Sequence, residues 1–244
     1  MKNIKLTNYD HEATNFAKLP EYSIHCGTDY LAVKDVPEKI KQLQSINKIL
    51  DLGCGSGLAT RYLKKHFPNA LVVGTDINKN MLEQAITADP EGLYLHLPQL
   101  NDQVSYPFLP NYFDVVICSF VLHENRTLEE LTIFLANIAK VLCSGGMLLA
   151  WDVYKNLFHG NWLSIKNISS TTSINEGEQY TVKILPANAE VTGTYWDPET
   201  LANIVKSLGL KSNTTYPLVE KNNEINWLDE IKLAPYFLFE AIKG

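Results

Sequence analysis

Nine residues, Ile49 to Gly57 (ILDLGCGSG), constrain the fold of this chain more than any other segment. Lys48–Leu52 (KILDL) is a short apolar run of the kind that forms a buried strand, and it closes on Gly53. Leu58 to Phe67 (LATRYLKKHF) then spaces its apolar residues at helical intervals and stops before Pro68. Gly53, Gly55 and Gly57 therefore lie where a strand turns into a helix. Without a Cβ the backbone there can approach a ligand closely, and the start of the helix offers unpaired N–H groups.

The same alternation continues along the chain. Leu71 to Thr75 reads as a second strand, with a turn at Asp76 to Asn78 and a helix through Met81, Leu82, Ala85 and Ile86. Leu93 to Leu97 reads as a third strand and Asp114 to Cys118 (DVVIC) as a fourth. Leu128 to Val141 follows as a long amphipathic helix, and Met147 to Trp151 as a fifth strand after a Gly145-Gly146 turn. Strands alternating with helices predict a parallel sheet covered on both faces.

Outside that core the pattern changes. Residues 1–45 mix polar and aromatic side chains, with breaks at Pro20 and Gly27 and a helix start at Pro37, and read as a helical leader or lid. Residues 46–155 form the ligand-binding core. Residues 156–195 are rich in Ser, Thr and Asn and read as an insertion, with one alternating strand over Gln179 to Leu185. Residues 196–244 supply a helix capped by Asp197 and ended by Gly209 and then strands that complete the sheet, the last an apolar one from Pro235 to Ile242. At 244 residues the chain suits one elaborated domain.

The bulk composition narrows the partners. The formal charge of -6 and scattered lysines leave no basic stripe for a phosphate backbone, so nucleic acid is not expected as a substrate. The first twenty residues hold no continuous apolar segment, and the longest apolar run, near Val115 to Leu122, is too short to span a bilayer, which points to a cytoplasmic protein without a membrane partner. Cys26, Cys54, Cys118 and Cys143 lie far apart with no C-x-x-C pair, so no metal is expected and the thiols read as reduced and structural. No sequence feature sets an oligomeric state.

The glycine spacing sorts possible ligands. A dinucleotide loop of the G-x-G-x-x-G type needs glycine where Leu58 stands, and a P-loop needs Gly-Lys-Ser/Thr where Gly57-Leu58-Ala59 stands. Asp76 ends the second strand about twenty residues beyond the loop, a position from which a carboxylate accepts hydrogen bonds from both hydroxyls of a ribose. Asn78 is better placed than Asp76 to cap the following helix, and Ile77 is placed to lie against an adenine face.

These segments, LDLGCGSG, GTDIN and FDVVICSFVLHE, resemble the small-molecule branch of the class I S-adenosylmethionine-dependent methyltransferases. The resemblance covers Ile49 to Asp152 well and the remainder loosely. It implies a Rossmann-like, doubly wound, mostly parallel sheet of about seven strands with an antiparallel C-terminal strand, in a three-layer αβα arrangement. It also implies S-adenosyl-L-methionine as methyl donor, S-adenosyl-L-homocysteine as product and a small-molecule methyl acceptor as partner. Asp51, Gly53 and Ser119 are implied to hold the methionine end, Gly55 and Gly57 to complete the loop, and Met81 to line the site. Asp102 and Gln103 are implied to read the adenine, because Asp102, Pro107-Phe108 and Phe113-Asp114 reproduce the family register. Leader segments that begin with Tyr-Asp, like Tyr9-Asp10, tend in the family to fold over the donor.

Methyl transfer of this kind is an in-line displacement governed by alignment, worth roughly 7 to 11 kcal/mol for well-placed reactants. A weakly nucleophilic acceptor also has to lose a proton. His123 and Glu124 follow the fourth strand and Asp152 ends the fifth, and His123, with an ordinary imidazole pKa near 6.5, is the candidate base. Two other classes share parts of the pattern: an NAD-dependent oxidoreductase, which also wants a glycine loop and an acid at Asp76, and a non-catalytic module that binds an adenosyl ligand.

Overall fold

The computed structural model describes residues 7–18, 36–43, 45–98, 105–219 and 225–244. Ten strands and six α-helices are present among them: α1 (Tyr9–Ala17), α2 (Val36–Ile40), β1 (Lys48–Leu52), α3 (Leu58–His66), β2 (Leu71–Asp76), α4 (Lys79–Ala88), β3 (Leu93–His96), β4 (Phe113–Ser119), α5 (Leu128–Val141), β5 (Leu142–Val153), β6 (Ile165–Asn167), β7 (Gln179–Ile184), β8 (Ala189–Thr194), α6 (Pro198–Ser207), β9 (Leu210–Thr215) and β10 (Tyr236–Lys243).

Seven strands form one sheet in the order β3-β2-β1-β4-β5-β10-β9. The pairs from β3 to β5 are all parallel, whereas β10 runs antiparallel to both β5 and β9. This is the Rossmann-like sheet with one reversed C-terminal strand. Strand order reverses between β1 and β4, and in open α/β sheets a ligand crevice forms beyond the carboxyl ends of the strands at such a point.

The apolar runs are continuous because the sheet is buried on both faces. Leu50, Val116 and Leu148 turn to the face covered by Leu131, Leu135 and Ile138 of α5 and by Leu201 and Val205 of α6. Their neighbours Ile49, Val115 and Leu149 turn the other way, toward Leu63 of α3 and Ile40 of α2. Asn78 caps α4 by accepting from the Met81 amide at 2.9 Å, and Asp197 caps α6 with Pro198 in the first turn.

Three stretches differ from the sequence reading. The Gly145-Gly146 turn is absorbed into one longer strand, β5, as a bulge: pairing with β4 jumps from Phe113–Leu142 to Val115–Met147, and Gly145 has φ of 74°. The insertion contains a separate antiparallel sheet, β6-β7-β8, in place of the single expected strand. The position of β9 is not readable in advance because LKSNTT lacks apolar alternation; the strand forms because β10 offers it a free edge.

The insertion sheet has its own core of Phe158, Trp162, Ile165, Tyr180, Val182 and Val191, which joins the main sheet through Val153 and Tyr236. Its β8 strand presses against the short turn Leu122–Glu124 after β4, and Gly193 makes that approach possible: a Cβ there would lie 2.6 Å from His123 Cδ2. Gly193→Val is therefore expected to overpack this junction, with a loss of about 1–3 kcal/mol in chemical denaturation. Phe239→Ala, which empties a fully buried site in the middle of β10, is expected to cost about 3–5 kcal/mol in the same measurement.

Candidate active site

Beyond the carboxyl ends of β1, β2, β4 and β5 lies a cavity of about 470 Å³. The loop after β1 forms one wall. Its turn is fixed by the Thr75 carbonyl, which accepts from the amides of Gly53 and Cys54, both at 2.8 Å. Gly53, Gly55 and Gly57 all have positive φ, of 75°, 53° and 82°, in the region that side chains disfavour. Their roles differ. A Cβ on Gly53 would lie 2.4 Å from Val121, and one on Gly57 2.8 Å from the Tyr94 hydroxyl, so both are required by protein packing. Gly55 lines the cavity, and its missing Cβ opens onto empty space. Gly57 does not line the cavity.

Asp76 closes β2 with both oxygens engaged by backbone: Oδ2 accepts from the Gly55 amide and Oδ1 from the Asn78 amide, each at 2.8 Å. Burial raises its pKa, against the opposing pull of these amides. Each oxygen keeps a second lone pair for a ligand hydroxyl. Asp51, at the end of β1, is 1% exposed; Oδ2 accepts from the Thr60 hydroxyl at 2.6 Å, while Oδ1 is buried without a partner. Burial pushes Asp51 up to about 7, with the Thr60 hydroxyl opposing and Asp76 adding to the rise. Ile77, Met81 and Ser119 also line the cavity. Asp102 and Gln103 lie outside the described residues, as does Cys26.

At the far end, after β4, Phe120 takes φ of 57°, a strained value for a bulky residue, and its amide donates to the Trp151 carbonyl at 3.0 Å. Nothing in the sequence around Phe120 signals this conformation. The turn that follows carries His123 and Glu124. His123 is 5% exposed; its backbone amide donates to Asp152 Oδ2 at 2.9 Å, and its Nδ1 lies 3.1 Å from Asp152 Oδ1. Nε2 lies 3.2 Å from Glu124 Oε1 but is too poorly aligned for a hydrogen bond. Burial disfavours the imidazolium, yet Asp152 and Glu124 outweigh it and lift His123 to about 10. The ordinary imidazole base expected from sequence therefore differs from the group in place, a cation at neutral pH held between two carboxylates.

The leader reaches this ridge. The Tyr9 hydroxyl donates to Glu124 Oε1, and Asp10 accepts from Asn78 Nδ2 at 2.8 Å and Asn80 Nδ2 at 3.1 Å. Thr7 exchanges hydrogen bonds with the Thr192 backbone of β8, donating to its carbonyl at 3.0 Å and accepting from its amide at 2.8 Å. Tyr9 and Phe16 line the cavity. Burial raises Glu124, but His123 and the Tyr9 hydroxyl pull it below the usual carboxylate range. Among the described residues no group of three or more His, Cys, Asp or Glu is arranged to hold a metal, and no helix is long and apolar enough to cross a membrane.

Comparison with known proteins finds likenesses centred on the glycine loop and its sheet. A family profile described as a methyltransferase domain matches residues 50–150. The malonyl-[acyl-carrier protein] O-methyltransferase of Legionella pneumophila is 37% identical over 82 residues, which cover 33% of this chain and 28% of that protein. A highly reducing polyketide synthase of Aspergillus terreus is 32% identical over 112 residues, covering 43% of this chain and 4% of the synthase. The chain spans at most half the length of the curated relatives it matches. In overall structure the chain resembles an S-adenosylmethionine-dependent methyltransferase from Clostridium acetobutylicum, with a TM-score of 0.63 over 96% of both chains at 14% identity. Residues 50–150, with their glycine loop at a topological switch point, are thus similar to a methyltransferase domain, and the sheet that carries them has the Rossmann-like fold of that solved methyltransferase.

Proposed function

We propose that the chain transfers the methyl group of S-adenosyl-L-methionine to a small-molecule acceptor. The observation that carries this reading is the buried, unpartnered Oδ1 of Asp51 beside a loop whose Gly55 leaves the cavity clear. Such an oxygen wants a cationic donor, and an α-ammonium group meets that need. Asp76, pinned by the Gly55 amide, is aimed to accept from ribose hydroxyls, and Ile77, Met81 and Ser119 complete the wall. Asp102 and Gln103 are proposed for the adenine edge on the family register alone. The donor when bound supplies an electrophilic methyl group on a sulfonium, and the acidic lining of Asp51, Asp76 and Glu124 suits that positive charge.

The division of the chain supports the same reading. Thr7, Tyr9 and Phe16 of the leader line the cavity beside Ile165, Tyr180, Val182, Ile184 and Val191 of the insertion, where the acceptor is proposed to sit. His123, as an imidazolium, is proposed to stabilise negative charge on the acceptor, with Glu124 next to it as the proton-accepting carboxylate. This replaces proton uptake by an ordinary imidazole. Relatives whose names describe an O-methyltransferase and polyketide synthases fit a small-molecule acceptor, and the net charge of -6 argues against nucleic acid.

The direct test is calorimetry with S-adenosyl-L-homocysteine, with NADH as control; binding of NADH alone would overturn the proposal. Gly55→Ala puts a methyl group into the ligand space and is expected to weaken S-adenosyl-L-homocysteine at least tenfold, while thermal denaturation still shows a folded protein. Because Asp51 is raised to about 7, its carboxylate forms as pH climbs through neutrality. Affinity for S-adenosyl-L-homocysteine is expected to rise from about pH 6 to about pH 8, and Asp51→Asn should abolish that slope. His123 carries the opposite sign for stability. Its folded pKa near 10 lies above the ordinary 6.5, so its stabilising contribution is complete below about 6.5 and disappears as pH rises through about 10. Melting temperature in His123→Gln, compared with wild type over this window, is expected to fall less steeply.

A further inference from the structure

The acceptor end of the cavity has a composition of its own. The insertion sheet presents Ile165, Val182, Ile184 and Val191 to the space, and Val153 and Phe120 close it from the main sheet. These side chains offer no hydrogen bond. Polar groups gather on a ridge where Tyr9, Glu124, His123 and Tyr180 come together; Thr7, Asn125, Arg126 and Glu130 also line the cavity. Two atoms on that ridge are buried without a hydrogen-bond partner: His123 Nε2 and the hydroxyl of Tyr180. Tyr180 is 2% exposed, its ring packs edge-on to Phe158 with centroids 5.3 Å apart, and its ring centroid lies 6.2 Å from that of His123. Unpaired buried polar atoms of this kind are uncommon and mark a place where a partner arrives.

We propose that the acceptor is a predominantly apolar small molecule with a single oxygen-bearing head group, its hydrocarbon body against the β6-β7-β8 wall and its oxygen at the His123–Tyr180 ridge. The proposal rests on the methyltransferase reading of the same cavity and narrows it to a substrate class. A polyhydroxylated acceptor such as a sugar would have to strip water from several hydroxyls and set them unpaired against aliphatic carbon, which disfavours it. A hydrocarbon body gains by burying its apolar surface there. A single oxygen can accept from the unpartnered Tyr180 hydroxyl on that ridge.

The test is titration calorimetry with 2-naphthol and with methyl β-D-glucopyranoside, on the full chain with and without saturating S-adenosyl-L-homocysteine. The expected result is at least tenfold tighter binding of 2-naphthol than of the glucoside. Tyr180→Phe, which keeps the ring, is expected to weaken 2-naphthol several-fold, and Ile184→Thr, which places a hydroxyl in the wall, to do the same; neither should change the affinity for S-adenosyl-L-homocysteine. Equal or tighter binding of the glucoside, no binding of 2-naphthol, or unchanged 2-naphthol affinity in both variants would overturn the proposal. Intact 2-naphthol binding in a protein that ignores S-adenosyl-L-homocysteine would instead overturn the donor reading and leave the acceptor class standing.

Discussion

The site depends on one backbone crossing. The Thr75 carbonyl, one residue before the end of β2, receives the amides of Gly53 and Cys54, and the next carboxylate, Asp76, receives the amide of Gly55. Three consecutive amides of the β1 loop are thus tied to the tip of the neighbouring strand. This arrangement needs left-handed backbone at Gly53 and Gly55, since any other residue would strain it. Once it is formed, Asp51 and Asp76 face the same space from adjacent strands, and α3 begins beside them. The parallel register of β1 with β2, Asp51 against Gly74 and Leu52 against Thr75, sets where these carboxylates stand.

Much of the sheet was legible because its strands are buried on both faces and flanked by glycine or proline. Lys48–Leu52 and Leu128–Val141 carry the boundaries read from their apolar patterns. The glycine turn after β1 was equally plain, because left-handed backbone at Gly53, Gly55 and Gly57 restricts residue type. Strands β8 and β9 were not. Ala189–Thr194 is buried at nearly every position through contacts with the leader and the turn after β4, so its period of two is masked. Leu210–Thr215 is an edge strand whose outward side chains meet water, and its pairing is decided by β10 far along the chain.

The protonation state of His123 was hidden for a related reason. The sequence shows that His123 and Glu124 are neighbours, but Asp152 comes from β5, and burial comes from β8 of the insertion through Gly193. Only the assembled packing puts a carboxylate on each side of the ring and raises the pKa of the imidazole. The orphaned atoms of the ridge are legible only in the fold, because a missing partner leaves no mark on a sequence pattern.

Thr7 mimics a strand neighbour for β8, while three residues on, Asp10 clasps the asparagines at the head of α4. The leader is therefore a strap buckled at both ends, with Tyr9 as the stitch between them. The Thr7 bonds are neutral and worth about 0.5–1.5 kcal/mol each, those to the Asp10 and Glu124 carboxylates about 1.5–3 kcal/mol, so the strap is held by the set of them together. Loss of one fastening therefore leaves the leader docked, and uncovering this side of the cavity takes the loss of several together.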